Sequence, residues 1–277
     1  MAYAAATENI KLGPGVLPIY SRTPVATAQQ AATIDEYSGG RMVLGLGVSH
    51  AVTVENWYGT KIERPVSAMR EYVGAVRAMF TGGDMPESHF FPTNFRFMGF
   101  EPRADLPIYV AALSPNMLQL AGETADGVML WLCNPDYIRD VVMPEVRAGR
   151  ERAGKSMDGF DVVAAVPAAA TEDRAAAYET MRNDLVTYWS LPFYRAMIER
   201  SGFVDDIAAF DAGIQAGDVG QAKRGISDGF LDSLTAIGSP EDVRAGVDRY
   251  RQAGATSPGI GAVPSTDFEA TLEAAAA

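Results

Sequence analysis

Residues 38–50 read Ser-Gly-Gly-Arg-Met-Val-Leu-Gly-Leu-Gly-Val-Ser-His, an apolar run with glycines before it and within it. The part Met42–Val48 predicts a buried strand, because strands that are covered on both faces are apolar almost throughout. Gly45 and Gly47 leave bare backbone near the carboxyl end of this strand, where barrel enzymes place substrates and cofactors. The third glycine and the helix start of a dinucleotide-binding fingerprint are absent. Two explanations stay open for the glycines: a cofactor surface, or tight packing within a barrel.

Outward from this stretch, strand-like runs alternate with helix-like runs, which is typical of parallel βαβ units. Six strands are predicted: Ile10–Pro18, Met42–Val48, Leu106–Ala112, Val128–Leu132, Phe160–Pro167 and Ser257–Val263. Helices with apolar residues at three- and four-residue spacing are predicted at Val25–Tyr37, Val66–Phe80, Met117–Thr124, Pro135–Arg152 and Pro240–Gln252. The pattern predicts an α/β fold, and because no linker or repeat interrupts it, we expect one domain over residues 1–277.

Two stretches break the alternation. His89–Phe100 is aromatic with a period of two, which predicts a short excursion or a hairpin. Leu185–Leu234 is helix-like and long, and it predicts an insertion of about residues 185–234. Insertions of this kind often cover the active-site mouth of enzyme barrels.

The composition limits the classes of partner and the compartment. The chain has 35 acidic and 23 basic residues, a net charge of −12, which argues against nucleic-acid or anionic-membrane partners. Cys133 is the single cysteine, so an internal disulfide is excluded and a buried structural thiol is expected. The sequence has no apolar run of about 20 residues and no secretory leader pattern. We therefore expect a cytoplasmic protein.

Three local features are candidates for chemistry. The two glycines and two prolines of Leu12–Pro18 predict either a bulge or a strand entering a turn. The strand that ends at Ala111-Ala112 runs into a helix headed by Ser114-Pro115, and the free amides of such a helix start can bind phosphate. An ordinary capped helix is the alternative for this segment. His50 follows the glycine-rich strand, either as a proton donor or as a residue that only lines the loop.

Other side chains carry less information. Trp131 stands at a strand end and is a candidate for lining a pocket. The two histidines, His50 and His89, are far apart in sequence, and no cluster of His, Cys and carboxylates has the spacing of metal ligands. No metal site is therefore predicted.

Four segments together resemble the luciferase-like monooxygenase superfamily, and within it the oxidoreductases that use the deazaflavin coenzyme F420. They are Gly13–Pro24, Ile34–Arg41 continuing into Leu44–Gly47, Ile108–Pro115 continuing into Ala121–Gly127, and Ile237–Arg244. Their order and spacing extend over nearly the whole chain, although each segment alone is weakly specific.

The resemblance implies a (β/α)8 TIM barrel, usually a homodimer, with the deazaflavin ring at the carboxyl-terminal mouth. It implies a bulge with a non-prolyl cis peptide at Gly15-Val16, behind the ring. The resemblance also implies further cofactor contacts. The ring is flanked by Gly47, Val48 and Ser49. The phosphate is held by the backbone of Ala111, Ala112, Leu113 and Ser114, and Trp131 is one more contact.

The resemblance also shows a departure, because family members begin with a strand, a helix and a second strand that are absent here. Met1–Glu8 looks like the end of that helix, so we expect either a recorded start that is too late or a shortened barrel that lacks two strands. The expected activity is hydride transfer between F420 and an organic small molecule that the sequence does not specify. The alternatives are an FMN-dependent monooxygenase of the same fold and a non-catalytic, flavin-binding shortened barrel.

Overall fold

The computed structural model describes residues 1–276, and contacts within the chain group them into two compact units. The first unit comprises Met1–Ala112, Asn116–Met129 and Glu145–Phe160. The second comprises Leu113–Pro115, Leu130–Pro144 and the residues from Asp161 onward. Both units contain parallel strands joined by helices, which confirms the predicted α/β class. The single domain stays a prediction.

The elements follow in chain order, first up to residue 152. They are α1 (Ala2–Ala6), β1 (Leu17–Pro18), α2 (Pro24–Ser38), β2 (Leu44–Gly47), a π-helical turn (Val52–Trp57), α3 (Pro65–Thr81), β3 (Ile108–Ala111), α4 (Pro115–Thr124), β4 (Gly127–Leu130), α5 (Pro135–Tyr137), a second π-helical turn (Ile138–Val142) and α6 (Met143–Arg152).

The remaining elements begin with the long strand β5. They are β5 (Asp161–Ala170), α7 (Arg174–Trp189), α8 (Pro192–Arg200), α9 (Val204–Gln215), α10 (Val219–Gly225), α11 (Asp228–Leu234), β6 (Ala236–Gly238), α12 (Pro240–Ala253), β7 (Ser257–Ala262) and α13 (Phe268–Ala276). No helix of residues 1–276 is both long enough and apolar enough to cross a membrane.

In the first unit, β1, β2, β3 and β4 pair in that order, all parallel. Helix α2 begins where the Thr23 hydroxyl accepts a hydrogen bond from the amide of Ala26, with proline at the first helical position. It ends at Gly39, whose φ of 68° is the left-handed conformation that favours glycine. In chain order, α2 follows the carboxyl end of β1, and α3 follows the carboxyl end of β2.

In the second unit, β5 is central and pairs with β7 along Val163–Ala168 and with β6 along Ala168–Ala170. Helix α12 begins with a capping box in which Ser239 and Asp242 each satisfy an amide of the other. The insertion is helical, as predicted, and its core is built around Trp189, whose ring lies 5.0 Å from that of Phe230.

The structure corrects two of the strand predictions and decides between the two alternatives for a third stretch. The predicted strand Ile10–Pro18 is reduced to Leu17–Pro18 and one isolated bridge at Leu12, because residues 13–16 leave the ladder. The stretch His89–Phe100 makes an excursion but contains no strand, so it is not a hairpin. Strand β6 was missed, because three residues are too few to show a pattern.

Candidate active site

The chain passes from Leu12 to Leu17 through a bulge. Leu12 pairs with Met42, and Leu17 pairs with Leu46. Five residue steps separate the first members of these pairs but only four separate the second members, so the segment from Leu12 to Leu17 contains one extra residue. The peptide bond between Gly15 and Val16, inside this bulge, is cis. Both features that the resemblance implied here are confirmed.

Gly45 and Gly47 permit the bulge to lie directly against β2. A Cβ atom on Gly45 would stand 2.2 Å from the carbonyl oxygen of Pro14 and 2.8 Å from the Sδ atom of Met129. A Cβ atom on Gly47 would stand 2.5 Å from Cγ2 of Val16. Real Cβ atoms do not approach other atoms so closely, so of the two explanations for these glycines, tight packing accounts for both.

The same packing brings together four of the predicted cofactor contacts. Val16 covers Gly47, and a Cβ atom on Gly47 would lie 3.5 Å from Cβ of Ala111. The amide of Ile19 donates to the carbonyl oxygen of Gly47 over 2.9 Å, which holds the end of β1 beside the end of β2. Gly15, Val16 and Ala111 thus form a small accessible surface around the buried Gly47, and the buried Ala112 follows Ala111 in the chain.

The loop after β2 carries the remaining predicted residues of the first unit. Ser49 has a φ of 61°, a conformation that residues other than glycine adopt rarely and that occurs preferentially at functional sites. His50 is half-buried, and burial lowers the pKa of its imidazole below the usual value. Val48, Ser49 and His50 are all partly accessible to solvent. Because its pKa is lowered, the His50 side chain favours the uncharged form at neutral pH.

Leu113, Ser114 and Trp131 belong to the second unit. The hydroxyl of Tyr137 donates to the carbonyl oxygen of Leu113 over 2.8 Å, and Ser114 directly precedes α4. Trp131 is 41% exposed, with its ring 6.2 Å from that of Tyr188. Exposure of so large an apolar ring is consistent with a pocket contact. A cofactor contact at each of these three residues stays a prediction.

The single cysteine and the candidate metal ligands take no part in the site described above. Cys133 is buried, as expected, and burial raises the pKa of its thiol far above the usual range. Its Sγ atom lies 3.4 Å from Sδ of Met197. Within residues 1–276, no group of three or more His, Cys, Asp and Glu side chains could hold a metal ion.

Two cavities open on the first unit. The smaller, about 340 Å³, lies in the loops that follow β1 and β2, and Ile19–Thr23, Thr60, Lys61, Glu63, Phe90 and Phe91 line it. The larger, about 440 Å³, surrounds the last turn of α3 and the segment Arg96–Ala104. Neither cavity is lined by any of the predicted site residues. Barrel enzymes bind ligands at the carboxyl ends of their strands, so the smaller cavity is the relevant one.

The sequence analysis missed Tyr20 and Met129. The hydroxyl of Tyr20 is buried without a hydrogen-bond partner among residues 1–276, and burial, then the charge of Glu63, raise its pKa. A tyrosine two residues beyond a strand end is a signal that could have identified it. Met129 packs its methyl group near Gly15 of the bulge and its sulfur near Gly45 of β2, a contact without any sequence signal.

Comparisons with known proteins agree with this geometry. The family model described as luciferase-like monooxygenase matches residues 1–257. The 5,10-methylenetetrahydromethanopterin reductase of Archaeoglobus fulgidus is 33% identical over 276 residues, which are 98% of this chain and 82% of the relative. The reductase of the same name from Methanolobus tindarius is 31% identical over 254 residues, 90% of this chain and 76% of the relative.

A solved structure matches the fold closely. It is the coenzyme F420-dependent tetrahydromethanopterin reductase of Methanopyrus kandleri, with a TM-score of 0.81 and 27% identity over 99% of this chain and 83% of the reductase. The match confirms the fold class predicted from the sequence, an α/β fold with parallel strands like that of the TIM-barrel reductase.

Proposed function

Because the chain belongs to the luciferase-like monooxygenase family of oxidoreductases, we propose that it transfers a hydride between coenzyme F420 and an organic substrate. One structural observation supports the proposal most strongly. The bulge packs on the carboxyl end of β2, and beside the buried Gly47 it leaves Gly15, Val16 and Ala111 accessible, residues with no side chain or a small one. A flat ring can approach backbone there, at the strand end where barrel enzymes carry out chemistry.

Under this proposal, Gly15 and Val16 support one face of the F420 ring, and Gly47, Val48 and Ser49 contact its edge. Backbone groups at the start of α4 hold the phosphate, because the first amides of a helix have no partner within the helix. Residues 111–114 (Ala111, Ala112, Leu113 and Ser114) and the exposed ring of Trp131 complete the set. F420, when bound, supplies the carbon that accepts and donates the hydride.

His50 is the side chain that we propose to move the proton. Its lowered pKa keeps the imidazole neutral at neutral pH, so the ring can take a proton from a substrate that is being oxidised. In the reverse direction, the protonated ring returns that proton to the reduced substrate. The base form is lost as the pH falls through the lowered pKa, so oxidation of the substrate slows on the acidic side.

The relatives suggest where a search for the substrate should begin. Those from Archaeoglobus and Methanolobus are named as reductases of methylenetetrahydromethanopterin, so a reduced pterin that carries a one-carbon unit is the first compound to test. We also propose that the protein is cytoplasmic and acts as a homodimer, as the family resemblance implies. Light scattering on the purified chain tests the assembly.

A hydride-transfer assay tests the proposed activity. The protein is mixed with reduced F420 and, in turn, methylenetetrahydromethanopterin and small ketones, and the oxidation state of the deazaflavin is followed by its absorbance. We expect turnover with at least one acceptor, slowed in His50→Gln by about 10²-fold, the lower end of general acid–base contributions. Turnover with reduced FMN and oxygen, and none with F420, would identify the monooxygenase instead. Ligand binding with no turnover by either cofactor favours the non-catalytic protein.

A further inference from the structure

The cavity of about 340 Å³ after β1 and β2, defined above, has no role in holding the cofactor under the proposed function. Its size suits a small organic molecule rather than a single ion or water. One side is aromatic, formed by Phe90 and Phe91, and another carries the half-buried Tyr20. The cavity therefore combines flat apolar walls with a few polar groups, as ligand sites do.

The aromatic side is fixed in place before any ligand arrives. One carboxylate oxygen of Glu71, on α3, accepts hydrogen bonds from the hydroxyl of Ser88 at 2.7 Å and from the amides of His89 and Phe90 at 2.8 Å each. Burial opposes ionisation of Glu71, but the hydrogen bonds outweigh it and hold its pKa below the usual value. Phe91 packs edge-on against Tyr72, with ring centroids 5.0 Å apart. The aromatic wall is preorganised.

Arg22 and Lys61 give the cavity its charge preference. Most arginines of this acidic chain are engaged in ion pairs or in hydrogen bonds to carbonyl groups, but within residues 1–276 neither of these two side chains has an ion-pair partner. Both line the cavity, where Glu63 is the one carboxylate among the lining residues. The lining thus has one more positive than negative group in a protein whose net charge is −12.

The hydroxyl of Tyr20 is the second polar feature. It is buried and lacks a partner within the described residues, a state that normally costs free energy unless a ligand or water completes the bond. A phenol donates readily to a carboxylate or phosphate oxygen. It thereby adds a directional contact to a lining that also carries Arg22, Lys61 and Glu63.

We propose that this cavity binds the distal part of the substrate, a flat aromatic or heteroaromatic group that carries a carboxylate or phosphate. Phe90 and Phe91 contact the ring, and Arg22, Lys61 and Tyr20 hold the acidic group. The assignment of the ligand as the substrate rests on the proposed function, whereas binding of an aromatic acid does not. The amide of Ile19 bonds to Gly47, so the cavity directly adjoins the strand ends that we propose for the cofactor.

Calorimetric titration with three naphthalene probes tests the proposal without F420. The probes share one ring and differ in charge: 1-naphthoate, naphthalene-1-methanol and naphthalene-1-methylammonium. We expect naphthoate to bind about tenfold tighter than the neutral alcohol, and the ammonium ion to bind weakest. Equal affinity for the three probes, or no binding of naphthoate, overturns the proposal.

Variants assign the selectivity to residues. The double variant Arg22→Met with Lys61→Met should lose the preference for naphthoate but keep its affinity for the neutral alcohol, which also reports that the cavity is folded. Arg147→Met replaces an exposed arginine on α6 and should leave all three affinities unchanged. Tyr20→Phe should weaken naphthoate by about fivefold, the worth of one hydrogen bond. Phe90→Ala should weaken all three probes together.

The acidic group in the cavity could belong to the substrate or to the cofactor. Repeating the naphthoate titration with saturating F420 distinguishes these two sources. Naphthoate that still binds supports a substrate site. Naphthoate that F420 displaces shows that the cavity holds the negative tail of the cofactor, which overturns the substrate assignment but leaves the proposed function intact. Loss of F420 binding altogether, with naphthoate selectivity retained, contradicts the proposed function alone.

Discussion

The β1–β2 pair and the β5–β7 pair are both parallel and both contain glycines, but their glycines have opposite surroundings. β5 and β7 stay in one register over six residue pairs, and the glycines of β7 have room for a side chain, since a Cβ atom on Gly259 would make an ordinary contact at 3.9 Å. β1 and β2 share two pairs beyond a bulge, and Gly45 and Gly47 are filled by the backbone and side chains of that bulge. Regular pairing holds a fold together, whereas the irregular pair lies where we propose that a ligand binds.

Replacing one glycine in each pair by alanine tests this difference and should give the largest effect. Gly45→Ala would force Cβ against the carbonyl oxygen of Pro14, so we expect the free energy of unfolding to fall by about 3 kcal/mol. Gly259→Ala, the matched control, should change it by less than about 1 kcal/mol. Urea unfolding of both variants measures the difference. Equal losses would show that the bulge is not packed as described.

The next effect concerns the charge that anchors the start of β2. Asp35 is buried, and it accepts two hydrogen bonds from Arg103, at 2.8 and 2.9 Å, and one from the amide of Met42. Arg103→Met leaves that carboxylate buried with the Met42 amide but without a positive partner, so we expect a loss of about 2 kcal/mol.

Arg251→Met is the control for Arg103→Met, because Arg251 pairs with Asp248 on the exposed face of α12. It should cost less than about 0.5 kcal/mol, as exposed ion pairs do. An Arg103→Met protein as stable as the Arg251→Met protein would mean that β2 does not depend on this anchor.

A smaller effect is expected in the regular region, at the helix cap that follows β6. The hydroxyl of Ser239 accepts a hydrogen bond from the amide of Asp242 at the start of α12. Ser239→Ala removes it, and loss of such a cap costs about 1 kcal/mol. Thermal unfolding should show a modest decrease for Ser239→Ala and recovery in Ser239→Thr, which keeps a hydroxyl. An unchanged Ser239→Ala protein contradicts the capping geometry.

The smallest effect is the pH dependence contributed by His50. Its pKa is lowered in the folded state, so the unfolded chain binds more protons as the pH falls below about 6.5. Folding stability therefore decreases from that pH downward and levels off below the folded pKa. Because carboxylates also titrate at acidic pH, the informative quantity is the difference between the original protein and His50→Gln. A difference that does not vary between pH 5 and 7.5 would show that His50 is not desolvated.

Part of the irregular β1–β2 region could be predicted from the sequence. The two glycines and two prolines of residues 12–18 left a bulge and a strand entering a turn as alternatives, and the structure shows the bulge. The cis bond at Gly15-Val16 followed from the family resemblance and not from the residues themselves. The strand itself was predicted too long, since apolar composition alone does not show where the ladder is interrupted.

The cavity lay beyond what one sequence can predict. Its walls come from three loops that are far apart in sequence, around residues 20, 61 and 90. Glu71 on α3 holds one of them, the aromatic turn, by hydrogen bonds that have no sequence motif. Phe90 and Phe91 are as compatible with a buried core as with a ligand wall, so only their placement distinguishes the two.

Binding of F420 and FMN to the unmodified protein tests the central claim most directly. The claim is that the backbone surface at the ends of β1 and β2 holds a deazaflavin. Titration followed by cofactor fluorescence should show saturable binding of one F420 per chain, at least about tenfold tighter than binding of FMN. Tight binding of FMN together with no measurable affinity for F420 would contradict the account.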